Sequence, residues 1–497
     1  MSYPSPPSLL NTPAEVKKMS ITKTSQTHAS AADACKRHRH VLPAVLMRAG
    51  TSKGLFIQRR HLPVSETEWA PAILAAMGSA DADPRQVDGL GGATSTTSKV
   101  AVVGPSLVPG ADVDYTFVQV GVGSSSVDLS GSCGNMASGV GPFAVEEGMV
   151  HVDAPVSPGG IRSVDIRVFN TNTQRLYIET VNIDAEGHVV EDGDYTIPGV
   201  FTPGSEIKIG FVEPAGSMTG RLFPSGSRVD VLRVALPTTS QVRGPWPIRT
   251  TLIDAANPFV VVDAASLPPE LRIGLSFTSP VPGITNPILN DMELAPHLAA
   301  IEAIRRAGAV RMGLAASVEK AALTRGTPKI VVVWPPAPLP AVNVATKDSM
   351  HADIQVLAFS MGKPHPTLQL TGAVCLGAAV CVPGTVAWDV SHSSVGFGAI
   401  RNRLPPSPER TPSPVFENEE KRENRMQLPP LSPEVINTAA GVKRVRIAHR
   451  KGTIDVDCVA SLSTDDSGNE SGGMLVEKCT VSRTARRLFE GKAYYYS

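Results

Sequence analysis

Cys133 lies in the stretch Gly131-Ser-Cys-Gly-Asn-Met-Ala-Ser-Gly139, where glycine-flanked small residues run into an apolar pattern. From Asn135 onward Met136, Val140, Phe143, Ala144 and Val145 recur at helical spacing, and Gly148 supplies a left-handed stop. The spacing predicts one helix that begins at the cysteine. Unpaired N–H groups of a first helical turn attract an anion and lower a neighbouring thiol's pKa, and Gly131 and Gly134 let a small ligand come close. Acid/base or nucleophilic chemistry follows from that placement. The same residues also suit a buried structural cysteine, and Pro142 inside the pattern works against a long regular helix.

Lys99 is the second residue with chemical potential. It ends Asp88-Gly-Leu-Gly-Gly-Ala-Thr-Ser-Thr-Thr-Ser-Lys99 and opens the apolar strand Val100–Val103. This is not a nucleotide loop, because a phosphate-binding lysine starts a helix and a dinucleotide fingerprint follows a strand. A lysine at the mouth of an apolar strand can be buried enough to act as a base near neutral pH, or it can be an ordinary surface lysine at a strand end. Arg48-Ala-Gly-Thr-Ser-Lys-Gly54 forms a polar turn between the strands Pro43–Met47 and Leu55–Ile57. Arg48, Thr51 and Ser52 there could offer a guanidinium fork and hydroxyls to a carboxylate, although a solvated hairpin turn would look similar.

These residues need a framework, and 497 residues are enough for more than one domain. Residues 1–40 are rich in Ser, Thr, Pro, Lys and His, and read as a disordered tail. An N-terminal lobe is expected over 41–240 and a C-terminal lobe over 241–497, with the last strands free to return to the first lobe. The Ser/Pro-rich and charged stretch 402–430 reads as a disordered insert. In the second lobe, residues 294–307 and about 309–325 read as helices and Lys329–Trp334 as a buried strand. The strand Ile354–Phe359 then leads through Ser360-Met-Gly-Lys-Pro-His365 to the apolar helix pattern of 371–380. That order echoes the approach to Cys133, so two helix starts should face one place. Arg483–Gly491 reads as a basic amphipathic turn.

The charges balance at 46 and 46, and charged residues make up only 19% of the chain, so neither a nucleic-acid footprint nor a membrane-surface patch is expected. The cysteines at 35, 133, 375, 381, 458 and 479 form no zinc spacing, which implies free thiols and no structural metal. No window approaches the roughly 20 apolar residues of a membrane span, and the N-terminus lacks a signal-peptide core. A cytoplasmic protein is expected, ahead of a mitochondrial one.

At seven stretches the chain resembles the 2-methylaconitate cis-trans isomerase family, whose relatives include aconitate Δ-isomerases and, more remotely, diaminopimelate epimerase. They are MRAGTSKGLF, DGLGGATSTTSKVAVVG, SGSCGNMASGVGPFAVEEG, FNTNT, IDAANPFVVVDA, SMGKPHPTLQLTGAVC and SRTARRLFEG, spread over roughly 43 to 491. The resemblance implies an α/β (α+β) fold of two similar lobes, each a curled, mostly antiparallel sheet around a central helix, with the active site in the cleft between them. It implies Lys99 and Cys133 as the catalytic pair. Arg48, Thr51, Ser52, Gly134, Asn135, Met361, Gly362, His365, Thr371 and Gly372 form the expected substrate-binding set. It implies no cofactor and no metal, a small tricarboxylate as the partner, and leaves a homodimer open.

The chain departs from the pattern in three ways. The tail and the 402–430 insert are additions, and they resemble fungal members that act on aconitate. Ala448-His-Arg-Lys-Gly452 replaces a His-Pro-Ser-Gly turn. Thr371-Gly372 stands where the epimerases carry a second cysteine, which argues against a two-thiol racemase. The expected reaction is conversion of cis-aconitate to trans-aconitate by an allylic proton shift, with 2-methylaconitate isomerisation as the alternative and a non-catalytic tricarboxylate binder behind both. Which of Lys99 and Cys133 is the base is left open.

Overall fold

Apolar runs such as Val100–Val103 and Phe259–Val262 are buried on both faces, the pattern of strands at the middle of a covered sheet. The computed structural model describes residues 18–20, 38–151, 160–237, 244–275, 291–335, 352–393, 441–464 and 470–496. The expected insert at 402–430 lies outside them, as does the expected tail except Lys18–Ser20 and the residues from 38 onward.

The first half contributes β1 (Lys18–Ser20), β2 (Arg39–Ala49), β3 (Ser52–Gln58), α1 (Trp69–Ala76), β4 (Lys99–Pro105), β5 (Val113–Val120), β6 (Ser126–Asp128), α2 (Gly134–Ala137), α3 (Val140–Glu146), β7 (Arg162–Asn170), β8 (Arg175–Ile183) and β9 (Ile207–Val212). The second half contributes β10 (Asp230–Val234), β11 (Trp246–Ala255), β12 (Asn257–Asp263), α4 (Pro269–Leu275), α5 (Asp291–Arg311), α6 (Val318–Leu323), β13 (Lys329–Trp334), β14 (Ile354–Ser360), β15 (Lys363–Pro364), α7 (Leu370–Cys381), α8 (Val386–Ser391), β16 (Val442–His449), β17 (Gly452–Thr464), β18 (Glu470–Arg483) and β19 (Ala485–Tyr496).

The pairing repeats. In the first half β2 and β3 run antiparallel, β3 and β4 parallel, β4 and β5 antiparallel, β5 and β7 parallel, and β7 and β8 antiparallel. In the second half β11 and β12, β12 and β13, β13 and β14, β14 and β16, and β16 and β17 follow the same sequence of senses. The halves join where β9 pairs antiparallel with β18, and β19 returns to pair with β2 as β10 pairs with β11. Lys18–Ser20 pair antiparallel with Ser126–Asp128.

Each curled half wraps helices on its inner face. Met136, Ala137, Val140 and Phe143 of α2 and α3, together with Leu370 to Val380 of α7, belong to one core that spans both halves. α7 is buried on nearly every side, as an apolar all-round sequence requires. Outside, α1 covers β3 and β4, and α4 and α5 cover β12 and β13.

Three local expectations change. The single helix expected from Cys133 is two short ones. Pro142 has no N–H for the Ser138 carbonyl, and the Ser138 hydroxyl donates to the Asn135 carbonyl at 2.8 Å, so the chain steps before α3 resumes. The two helices expected over 294–325 are one long α5 and a short α6, because the left-handed break comes at Gly313. The stretch expected as a basic turn at 483–491 is the end of β18 and the start of β19, since β2 offers an open strand edge that its backbone can pair with. No helix among the described residues is long and apolar enough to cross a membrane.

Candidate active site

The parallel register of β3 and β4 sets Lys99 opposite Gly54, where a Cβ would come within 2.4 Å of the Lys99 carbonyl oxygen, so only glycine allows the approach. Lys99 is 8% exposed and its Nζ donates to Gln119 Oε1 at 2.6 Å. Gln119 faces it directly across β4 and β5, and its amide is fixed by donating to the Ser98 carbonyl at 3.0 Å and the Val120 carbonyl at 3.3 Å. The Lys99 ammonium also lies 4.8 Å from the Phe117 ring centre, and Cys133 lines the same cleft close enough to act on its charge. Burial pushes the lysine below its ordinary range, and Cys133 opposes that shift.

Cys133 is the residue before α2, in extended backbone. Its carbonyl accepts from the Tyr115 hydroxyl at 3.1 Å. Ser132 shares a hydrogen bond with the Tyr177 hydroxyl at 2.9 Å. A Cβ on Gly134 would meet Leu370 Cδ2 at 2.6 Å, so the starts of α2 and α7 touch at this glycine.

A cleft open to solvent lies between the halves and is lined by residues of both. Of the expected residues, Lys99, Cys133, Ser52, Gly134, Asn135, Met361, His365 and Thr371 line it. Met361, in a left-handed conformation beside Gly362, turns β14 into β15 at the cleft wall. His365 Nδ1 accepts from the Thr367 N–H at 3.2 Å, so the proton of the neutral ring sits on Nε2. Burial, with Lys99, Lys329 and Arg483 nearby, pushes His365 down to about 4, which leaves it neutral at pH 7.

Four expected residues stand elsewhere. Arg48 spends its guanidinium on the carbonyls of Gly50 at 3.1 Å and Thr484 at 2.8 Å, because β19 lies against its strand. Thr51 accepts from Asn135 Nδ2 at 3.3 Å and shares a hydrogen bond with the Thr367 hydroxyl at 3.3 Å, so it braces the site from behind. Gly362 faces a smaller adjacent hollow, and Gly372 faces Phe259 and Leu368 in the core. Cys375 is a satisfied core thiol that donates to the carbonyls of Ala255 at 2.8 Å and Asn257 at 3.0 Å. Burial pushes its pKa up.

Sequence reasoning missed Gln119, Asp128, Ser132, Gln369 and above all Lys329, all of which line the cleft. Lys329 had a signal: like Lys99 it opens a buried strand, and carrying the internal echo down to single residues would have found it. Gln119 had none, since only the register of β4 and β5 brings it opposite Lys99. Among the described residues no group of three or more His, Cys, Asp or Glu side chains could hold a metal.

A family model described as PrpF protein matches residues 39–406. The chain belongs to the PrpF family. Within that family it is 32% identical over 460 residues to the 2-methyl-aconitate isomerase of Shewanella oneidensis, covering 90% of this chain and 95% of that one. It is 31% identical over 457 residues to the 3-methylitaconate isomerase of Eubacterium barkeri, covering 91% and 97%. Against a (4E)-oxalomesaconate Delta-isomerase of Novosphingobium, identity is 36% over 357 residues, covering 71% and 85%. The crystal structure of a methylitaconate-delta-isomerase superposes with a TM-score of 0.59 at 30% identity, covering 92% of this chain and 96% of that one. This PrpF-family chain is therefore an isomerase, with the two-lobed α/β fold it shares with the methylitaconate-delta-isomerase structure.

Proposed function

We propose that the enzyme interconverts cis- and trans-aconitate by an allylic proton shift, with Lys99 and Cys133 as the acid/base pair. The observation that carries this reading is that Lys99 and Cys133 line one cleft, which a second lysine also lines. In aconitate a CH2 lies beside a carboxylate-bearing C=C. Removal of its proton gives a carbanion delocalised into carboxylate oxygens, free to rotate and to be reprotonated at the far carbon. The step needs a base active near neutral pH, a proton donor, and cations or N–H groups over the developing charge. Lys99 is depressed by burial, which offsets the upward pull of a polyanionic substrate. No redox step occurs in such a shift.

The additions outside the family pattern, shared in character with fungal aconitate isomerases, favour the unmethylated acid. The second reading is 2-methylaconitate, favoured by the Shewanella relative that matches along nearly its full length. One methyl group is worth about 1–3 kcal/mol in a fitted pocket, so the two acids should differ measurably. A non-catalytic binder would not need both Lys99 and Cys133 in one cleft. The test is to incubate purified protein with each acid and follow the vinyl protons by NMR. Faster conversion of 2-methylaconitate would replace the first reading with the second, and conversion of neither would overturn both.

A further inference from the structure

Lys329 is the repeat partner of Lys99. Each is the first residue of the strand that runs parallel to its hairpin neighbour, with Gly54 paired to Lys99 and Phe259 paired to Lys329. The internal repeat therefore brings one lysine from each half to the same cleft, which Cys133 also lines.

The surroundings of the two amines differ. Lys99 is held by Gln119 at 2.6 Å, whereas the one hydrogen bond of Lys329 among the described residues is a 3.4 Å contact to the Ser132 carbonyl. That carbonyl already accepts from Asn257 Nδ2 at 2.8 Å. The Phe259 ring lies 5.9 Å from the Lys329 ammonium. Asp128, which lines the same cleft, turns its Oδ1 to the Ser130 N–H at 2.8 Å and the Ser130 hydroxyl at 2.5 Å. A half-buried cation without a close carboxylate is costly unless an anion joins it.

We propose that Lys329 is a substrate-binding residue, its ammonium pairing with the carboxylate on the second half's side of the cleft while Lys99 and Cys133 act on the carbons. The proposal rests on the tricarboxylate reading above and assigns one of the three carboxylates a seat. Groups facing Lys329 are Lys99 from β4, Cys133 ahead of α2, Asp128 from β6, Cys375 from α7 and His365 after β15. Burial, opposed by Cys133, brings Lys329 down to about 8. His365 stays neutral and Cys375 stays a thiol between pH 6.5 and 9.5. Binding of a polyanion then draws a proton onto Lys329 at alkaline pH.

The experiment measures binding of tricarballylate, a saturated tricarboxylate that cannot undergo the shift, by calorimetry at pH 6.5 and 9.5. Wild type, Lys329→Met and Lys329→Arg are compared, with urea midpoints as the folding control. Lys329→Met should bind about ten- to a hundredfold more weakly at pH 6.5. Wild type should lose affinity at pH 9.5, whereas Lys329→Arg, which cannot deprotonate, should lose clearly less. Lys329→Met binding within twofold of wild type, or Lys329→Arg losing as much as wild type, would overturn the proposal. If Lys329→Met does not fold, the comparison of wild type with Lys329→Arg decides alone. Turnover of cis-aconitate by wild type, run alongside, judges the functional reading separately.

Discussion

Asn257, on the second half, holds the Ser132 peptide of the first half from both sides: its Oδ1 accepts from the Ser132 N–H at 3.3 Å and its Nδ2 donates to the Ser132 carbonyl at 2.8 Å. All of these groups are buried. The residue before Cys133 is thus fixed by the opposite lobe, and the position of the thiol depends on the two halves being docked. Replacing Asn257 by Ala leaves the buried Ser132 N–H unsatisfied and its carbonyl with only the long Lys329 contact. It should cost roughly 2–4 kcal/mol of stability by urea unfolding and, through misplacement of Cys133, on the order of 10²-fold in kcat. An unchanged kcat would show that the clamp does not position the thiol.

Lys99→Ala and Cys133→Ala should each lower turnover by about 10²–10⁴-fold with the fold kept, the range of a lost general acid or base. Cys375→Ala and Cys381→Ala should keep turnover near wild type, since Cys375 bonds only to backbone carbonyls of the core and neither residue lines the cleft. Near wild-type turnover in Cys133→Ala would end the two-residue mechanism.

The route taken by hydrogen separates an allylic shift from thiolate addition and elimination at the double bond. With acid/base chemistry, turnover in D2O should place deuterium on the methylene or vinyl carbon of the product, and a deuterated CH2 should show a primary isotope effect. Addition by Cys133 and elimination leave the methylene hydrogens in place. Absence of both signals, read by NMR and by rate comparison, would leave Cys133 as a covalent catalyst.

Glu179 offers a test of buried electrostatics away from the cleft. Its Oε2 accepts from the Gly141 N–H at 2.8 Å, its Oε1 has no partner, and burial pushes the carboxyl up to about 8. The folded state therefore binds this proton more tightly than the unfolded one. The stability it contributes is fully present below the ordinary carboxyl pKa near 4.5 and is lost as pH rises through about 8. Glu179→Gln mimics the protonated form. Its urea midpoint should exceed that of wild type increasingly from pH 5 to 9, by an amount set at about 1.4 kcal/mol per unit of pKa shift. Parallel pH profiles for the two proteins would refute the buried, protonated carboxyl.

Local apolar periodicity and the placing of glycine were enough to put Lys99 at the start of a buried strand, Cys133 ahead of a helix, and a second strand, turn and helix in echo of the first. The sequence also pointed to Ser52, Asn135, His365 and Thr371, all at the cleft. Local pattern could not decide where Arg48 aims, since its guanidinium is claimed by the Thr484 carbonyl, 436 residues along the chain. Nor could it show that Gln119 faces Lys99, that Asn257 grips Ser132, or that Lys329 enters the same cleft. Those relations come from strand register and from the docking of the two halves, and both are set by burial summed over distant segments rather than by any local run of residues.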